Sequence, residues 1–257
     1  MRIIDTHSHI YSEEFDNDID DVIKRAKQAG VEKILLPNID ASSIDRLHNI
    51  SDRYAGYCIS MMGLHPTSVG ENWEEELDII RKELSKRTYI AIGEIGIDLY
   101  WDKTFEEQQK QVFEEQLRWS IEYDLPVAIH SRDAIAECIS CIKNVGEQHL
   151  RGVFHSFGGT VEELDGILSL KNFMLGINGV VTFKNSTLPT VLKETDLSNI
   201  IIETDSPYLA PVPYRGKRNE SSYTLNVVTK LAEIYGLPAE EVGQITTENA
   251  EKLFVLK

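Results

Sequence analysis

Apolar and polar positions alternate along this chain on the scale of whole secondary-structure elements. Eight short apolar runs rich in Ile and Val have the length of β-strands, and they cover residues 2–4, 33–36, 56–61, 89–92, 127–129, 152–154, 172–177 and 199–202. Longer segments between these runs repeat their apolar residues with a helical period. This alternation of strand and helix predicts βα units and a parallel sheet.

The clearest helical segment extends from about residue 104 to residue 123, and four apolar residues fall on one of its faces: Phe105, Phe113, Leu117 and Ile121. Thr104 and Glu107 have the spacing of a capping box at the start of this helix. Thr160 and Glu163 repeat that spacing and predict the start of another helix.

Eight βα units in a chain of this length predict an α/β fold of the (β/α)8 TIM-barrel type. We expect a single barrel domain over residues 1–257. Two further helical segments, near residues 222–235 and 247–254, follow the eighth apolar run and predict an additional C-terminal helix. A doubly wound open sheet is the alternative, because periodicity alone cannot close a barrel.

Composition narrows the class of protein. The chain has 257 residues, 42% of them hydrophobic, with 26 Lys and Arg against 42 Asp and Glu, for a net charge of −16. Such a chain forms a globular core, and its acidity opposes general attraction to nucleic acid or anionic lipid. No apolar run approaches the roughly 18 residues of a membrane span, and the N-terminal apolar stretch is short for a signal peptide. We therefore expect a cytoplasmic protein without membrane association or an obligatory protein partner.

Six metal-competent side chains stand just after five of the apolar runs: His7, His9, Glu94, His130, His155 and Asp205. The carboxyl ends of barrel strands meet at one mouth, where catalytic groups are expected. His7 and His9 are two residues apart, so they point to the same face of a strand. Four imidazoles and two carboxylates exceed the needs of one tetrahedral ion, and we predict two divalent ions bridged by Glu94.

A two-metal site activates water and stabilises the leaving oxygen of a phosphodiester. We predict that Asp205 orients the attacking water and accepts its proton, so that Asp205 and Glu94 are catalytic residues. The His-rich ligand set permits Zn²⁺ or Mn²⁺, whereas Mg²⁺ usually prefers oxygen ligands, so the identity of the metal stays open. A single histidine after an apolar run is usually a core residue, and the prediction depends on the joint pattern.

Four further residues are predicted to bind substrate at the same mouth: His65, Arg132, Arg215 and Arg218. His65 follows the third apolar run and is a candidate for substrate binding or proton transfer. Arg132, two residues after His130, offers a planar fork for a phosphate or carboxylate. Arg215 and Arg218 belong to a basic loop after the eighth run, where barrels often bind phosphate. For Arg132 the alternative is a surface arginine paired with a helix carboxylate. For the basic loop the alternative is a solvated charge cluster.

Seven motifs follow one another along essentially the whole chain: DTHSH (5–9), GLHP (63–66), GEIGID (93–98), HSRDA (130–134), FHSFGGT (154–160), ETDSPYLAP (203–211) and TTENAEKLF (246–254). On these motifs the chain resembles the TatD-type metal-dependent hydrolases, a branch of the amidohydrolase-like barrels. The resemblance implies that the six strand-end residues bind one or two divalent ions and that Glu94 is the bridging carboxylate.

The resemblance also implies Mg²⁺- or Zn²⁺-dependent deoxyribonuclease activity, often as a 3′-to-5′ exonuclease on single strands. DNA ends or single-stranded DNA are then the expected substrates. Two positions depart from the family pattern, since Leu99 stands where a tyrosine is common and Ser221 where a proline is usual. Both departures lie near the predicted substrate cleft and leave the substrate choice open.

Two other functions remain open on the same barrel, because one fold hosts many activities. One is hydrolysis of a small amide, lactone or phosphoester at the same metal site, which a substrate panel would distinguish. The other is a metal-binding barrel that recruits a partner without hydrolysis. An intact cellular phenotype after Asp205→Asn would favour the hypothesis of a partner-binding barrel without hydrolysis.

Overall fold

The computed structural model describes residues 1–256, in which parallel strands alternate with helices. The strands are β1 (Ile3–Asp5), β2 (Val31–Leu36), β3 (Cys58–Ser60), β4 (Ile92–Asp98), β5 (Val127–Arg132), β6 (Gly152–Phe154), β7 (Phe173–Ile177) and β8 (Ile200–Ile202). The helices are α1 (Ile19–Gln28), α2 (Ile44–Arg53), α3 (Trp73–Leu84), α4 (Glu106–Tyr123), α5 (Ile135–Val145), α6 (Val161–Leu168), α7 (Leu188–Val191), α8 (Thr224–Tyr235) and α9 (Ala239–Phe254).

The strands pair in chain order, as β1–β2–β3 and as β4 through β8. Backbone hydrogen bonds join the two sheets at both seams. Between β3 and β4, Gly93 N–H donates to the Met62 carbonyl at 3.0 Å. Between β8 and β1, Thr6 N–H donates to the Ile202 carbonyl at 3.0 Å. These bonds close the predicted (β/α)8 barrel, and the unbroken order excludes a doubly wound sheet, in which the strand order reverses.

A small apolar cluster takes at least one residue from each strand region and three from α9, among them Ile4, Leu35, Met61, Ala91, Ala128, Val153, Met174, Ile201, Ala250, Leu253 and Phe254. The additional C-terminal helix therefore packs against the barrel interior at the amino ends of the strands. A larger cluster joins the strands to the surrounding helices. The carboxyl ends of the strands are left for chemistry.

The predicted fourth strand was misplaced. The apolar run at residues 89–92 shares only Ile92 with β4, which extends over the whole GEIGID motif with every residue buried. Polar Glu94 and Asp98 interrupt the hydrophobic pattern that marks a strand. Gly96 is required here, because it has φ +140° and an added Cβ would lie 1.9 Å from the His130 carbonyl oxygen on β5.

One predicted capping box is correct and the other is wrong. Thr160 Oγ1 accepts from Glu163 N–H at 3.3 Å, and Glu163 Oε2 accepts from Thr160 N–H at 2.7 Å. Helix α4 instead begins at Glu106 without a side-chain cap, because Thr104 N–H donates to Asp102 in a separate turn. Ile121 also lies outside the predicted apolar face of α4, with 37% of its surface exposed.

Helix α9 begins at Ala239, which is earlier than its predicted start near residue 247. Gly243 interrupts the helical pattern in the sequence, and it packs so closely that an added Cβ would lie 2.8 Å from Met1 Cγ. Among the described residues, no helix has the length and hydropathy of a membrane span.

Candidate metal centre

The segment after β1 brings two histidines to the mouth of the barrel. Ser8 N–H donates to the Leu35 carbonyl at 3.1 Å and His9 N–H to the Ser206 carbonyl at 2.7 Å. The chain therefore stays extended between its two neighbours, so His7 and His9 project to the same side. Their Nε2 atoms lie 3.3 Å apart, and both side chains are buried.

Glu94 lies at the centre of the site, and its two oxygens face different histidines. Oε2 is 3.1 Å from His7 Nε2 and 3.5 Å from His9 Nε2. Oε1 is 3.0 Å from His130 Nδ1 and 2.9 Å from His155 Nε2. One buried carboxylate thus joins two pairs of imidazoles that come from opposite sides of the barrel.

Asp205 completes the set on the side of the first histidine pair. Its Oδ1 lies 3.6 Å from His9 Nε2 and 3.9 Å from His7 Nε2. Its backbone has φ +57°, a left-handed conformation that aspartate tolerates better than most residues, and its N–H donates to the His7 carbonyl at 2.8 Å. All six predicted metal ligands therefore converge on one cluster.

Burial and neighbouring charges determine the ionisation of the central carboxylate. Burial opposes ionisation of Glu94, but the surrounding imidazoles of His65, His155 and His7 outweigh it and hold its pKa well below the usual value. Burial in turn holds the pKa of His7 well below that of a free histidine, with the nearby His155 acting in the same direction. The centre is therefore an anionic carboxylate beside a neutral His7 ring.

Asp205 differs from Glu94 in its electrostatic setting. Burial raises the pKa of Asp205 to about 6, and the charges of His155 and His9 offset only part of this rise. Its side chain keeps 15% of its surface exposed at the mouth, whereas Glu94 keeps 2%. Asp205 is thus the carboxylate of the set that can meet an incoming molecule.

Hydrogen bonds assign the proton of His9. The Tyr11 hydroxyl donates its one hydrogen to the Pro37 carbonyl at 2.6 Å. Its oxygen also lies 2.9 Å from His9 Nδ1, so it must accept a hydrogen from that nitrogen. Neutral His9 then has an unprotonated Nε2 that faces Glu94 and His7, which is the state a metal ligand requires.

His65 has the opposite arrangement. Thr67 N–H donates to His65 Nδ1 at 3.1 Å, so the neutral ring has its hydrogen on Nε2. That Nε2 lies 3.2 Å from Glu94 Oε1, which accepts its hydrogen. His65 is therefore inside the cluster, where it acts as a hydrogen-bond donor to the central carboxylate.

Two acidic residues that sequence reasoning did not assign hold the second histidine pair. Asp98 Oδ2 accepts from His130 Nε2 at 2.8 Å, and Glu203 Oε1 lies 3.5 Å from His155 Nδ1. Carboxylates behind histidines of this kind orient the ring and fix its tautomer. Asp98 ends β4 and Glu203 directly follows β8, so the rule that selected the six ligands applies to them as well.

The donor set fits a divalent metal ion. The possible ligand atoms of His7, His9 and Glu94 lie within 4.8 Å of one another. Nε2 of His7, His9 and His155 all face the buried Glu94 carboxylate, and His9 Nε2 is unprotonated. Buried imidazole lone pairs and carboxylates without a cation are costly, and a divalent ion would satisfy them.

Among the described residues, no hydrogen bond or ion pair joins the three predicted substrate-binding arginines to the cluster. Arg132 has its guanidinium 3.8 Å from the centre of the Tyr100 ring, and Arg215 lies 4.3 Å from the centre of the Phe183 ring. Arg218 is held by both Asp18 oxygens at 2.8 and 2.7 Å, so its fork is occupied. The substrate-binding role of these arginines stays a prediction.

Comparisons with known proteins show which proteins the chain is similar to. A sequence model of the family described as "TatD related DNase" matches residues 4–255. The uncharacterized metal-dependent hydrolase YabD of Bacillus subtilis is 38% identical over 253 residues, which are 98% of each chain. The 3'-5' ssDNA/RNA exonuclease TatD of Pectobacterium parmentieri is 32% identical over 261 residues, covering 99% of this chain and 100% of that one.

A solved structure has the same fold along its whole length. The crystal structure of YjjV, a TatD homologue from Escherichia coli K12, matches with a TM-score of 0.92 and 30% sequence identity. The match covers 100% of this chain and 99% of that one.

Proposed function

Because the chain belongs to the TatD family of metal-dependent hydrolases, we propose that it cleaves phosphodiester bonds of DNA, as a 3′-to-5′ exonuclease on single strands. The observation that carries this proposal is the position of Glu94, with one oxygen facing His7 and His9 and the other facing His130 and His155. A carboxylate shared in this way suits two adjacent cations, as phosphodiester cleavage by a two-metal site requires.

We assign the binding of two divalent ions to the six converging residues. His7, His9 and Asp205 would hold one ion, His130 and His155 would hold the other, and Glu94 would contribute to both. When bound, Mg²⁺, Mn²⁺ or Zn²⁺ supplies Lewis-acid chemistry, lowering the pKa of water and stabilising negative charge on phosphate oxygens.

The protein side chains provide the proton transfers. Asp205 is the proposed acceptor of the proton of the attacking water, because its carboxylate is partly exposed and lies beside the first histidine pair. Asp205 would then return this proton to the leaving oxygen, while the neutral His65 ring, with its hydrogen on Nε2, stays a hydrogen-bond donor beside Glu94. Arg132 and Arg215 would hold the phosphates, while Arg218 supports the loop through Asp18.

The choice of substrate follows from charge and from one relative. A chain with a net charge of −16 repels long duplex DNA, but salt limits this repulsion to about 8 Å at physiological ionic strength. A short end or a single strand can therefore enter the mouth. The relative named a 3'-5' ssDNA/RNA exonuclease supports the same polarity and substrate.

A nuclease assay tests this proposal. Single-stranded and duplex DNA, labelled at the 5′ or at the 3′ end, are incubated with purified protein and titrated with Mg²⁺, Mn²⁺ and Zn²⁺. We expect metal-dependent shortening from the 3′ end of single strands and slower cleavage of duplex.

Glu94→Ala is the matched control, because it removes the carboxylate shared by both halves of the site and should abolish cleavage. Unchanged cleavage by this variant would indicate a contaminating nuclease. Turnover of a lactone, an amide or a small phosphoester far above that of DNA would replace the nuclease proposal with hydrolysis of small molecules.

A further inference from the structure

Two large aromatic side chains are exposed beside the mouth, immediately after β4. Trp101 has 69% of its surface exposed and Tyr100 has 53%. Their ring centres are 5.0 Å apart and the rings are nearly perpendicular. Arg132, at the end of β5, covers the face of Tyr100 and lies 5.3 Å from the centre of the Trp101 ring. We call Tyr100, Trp101 and Arg132 the aromatic platform.

The charge of the platform is unusual for this chain. Throughout residues 1–256, each arginine other than Arg132 and Arg215 lies within 4.0 Å of a carboxylate. Arg132 instead contacts aromatic rings and keeps its hydrogen-bond donors available. In a chain with a net charge of −16, a cation left free of carboxylates favours an anionic ligand.

A single carboxylate connects the platform to the metal centre. Asp98 Oδ2 accepts from His130 Nε2 at 2.8 Å. Asp98 Oδ1 accepts hydrogen bonds from the backbone N–H of Tyr100 at 3.0 Å and from that of Trp101 at 3.1 Å. The platform is therefore held at a fixed place beside a histidine that faces Glu94.

We propose that the aromatic platform binds the base of the terminal nucleotide of a single strand, with Trp101 as the stacking ring and Arg132 at the adjoining phosphate. This inference rests on the proposed nuclease function and specifies how its substrate is held. Aromatic rings combined with an arginine are the usual means of binding single strands without sequence preference. Because bases in a duplex are already stacked and paired, the platform selects single strands in spite of the acidic surface.

Equilibrium binding tests the platform independently of cleavage. The probe is a fluorescent octathymidylate whose terminal linkages are phosphorothioates that resist cleavage, compared with the same strand carrying an abasic 3′-terminal nucleotide. We expect the metal-loaded wild-type protein to bind the complete strand about 10-fold more tightly than the abasic strand. Trp101→Ala should bind both strands equally, whereas Trp101→Phe should keep most of the difference because it keeps a ring.

Val255→Ala is the control, since it trims an apolar side chain that is 65% exposed and stands at the end of α9. It should retain the preference of the wild type. The proposal is overturned if Trp101→Ala still prefers the complete strand.

Failure of the platform and failure of the nuclease proposal give different results. A wild-type protein that cleaves single strands, with a preference for the complete strand that survives Trp101→Ala, contradicts only the platform. A wild-type protein that cleaves no oligonucleotide, with a preference that Trp101→Ala abolishes, contradicts only the nuclease function.

Discussion

Single protons distinguish the histidines of the metal centre. His9 and His65 both face Glu94 through Nε2, but Tyr11 and Thr67 place their hydrogens on opposite nitrogens. A neutral imidazole binds a metal only through its unprotonated nitrogen. His9 is thus prepared as a ligand and His65 as a donor, although both are histidines beside the same carboxylate.

We expect Tyr11→Phe to weaken metal binding about 10- to 100-fold, because His9 loses the hydroxyl that accepts its Nδ1 hydrogen. Isothermal titration of the metal-free protein with Mn²⁺ or Zn²⁺ measures the change. Tyr57→Phe is the matched control, since the Tyr57 hydroxyl also donates to a backbone carbonyl, that of Val31, far from the cluster. Equal affinities of Tyr11→Phe and the wild type would contradict the assigned tautomer.

At the scale of elements, the loop after β8 is attached to α1 and the residues before it. Glu220 accepts from Arg25 at 2.6 Å, and Arg218 pairs with Asp18 while its guanidinium lies 4.4 Å from the centre of the Phe15 ring. These contacts stabilise the loop in which Ser221 stands where the family usually has proline. Ser221 is the first residue of a 3₁₀ turn and is fully buried.

We expect Ser221→Pro to raise the free energy of unfolding by about 0.4–1 kcal/mol. Proline suits the first helical position, and it restricts the unfolded chain. Thermal or urea denaturation monitored by circular dichroism measures the change.

Ser222→Pro is the matched control for this element. It should destabilise the protein, because proline disfavours the helical conformation of the residue before it and the bond from Ser222 to Glu220 is lost. A lower melting temperature for Ser221→Pro would instead mean that the Ser221 hydroxyl supports buried Asp5 beside it, whose pKa burial raises to about 7.

At the scale of the whole molecule, charge is distributed so that the mouth differs from the rest of the surface. Most arginines are neutralised by carboxylates, whereas Arg132 and Arg215 lie over aromatic rings near the mouth. A single strand should therefore meet two arginines that no carboxylate within residues 1–256 neutralises. Nucleic-acid affinity that depends on few phosphate contacts varies weakly with salt.

We expect the logarithm of single-strand affinity to fall with the logarithm of salt concentration with a slope of about −1.4, from two phosphate contacts at about −0.7 each. Fluorescence anisotropy with Asp205→Asn and a labelled oligothymidylate between 50 and 200 mM NaCl measures it. Arg132→Gln should reduce the slope by one contact. A slope steeper than about −4 would contradict this account of an acidic enzyme that binds short ends.

Much of the architecture was predictable from the chain alone. Strand positions follow from runs of Ile and Val, and seven of the eight predicted runs overlap their strands closely, because burial on both faces leaves a continuous apolar signal. The exception is β4, whose buried polar residues belong to the site. The six converging side chains were also predictable, since the carboxyl end of each strand reaches the same mouth.

The sequence by itself thus determined the order of the elements and the residue types at the ends of the strands, which are local properties. Only the tertiary structure decided which nitrogen of His9 and of His65 faces Glu94, and that Asp98 holds both His130 and the aromatic platform. It also decided that Arg218 is paired with Asp18, a residue 200 positions away. Hydrogen bonds and ion pairs depend on distances of about 3 Å between side chains, and periodicity contains no information on such distances.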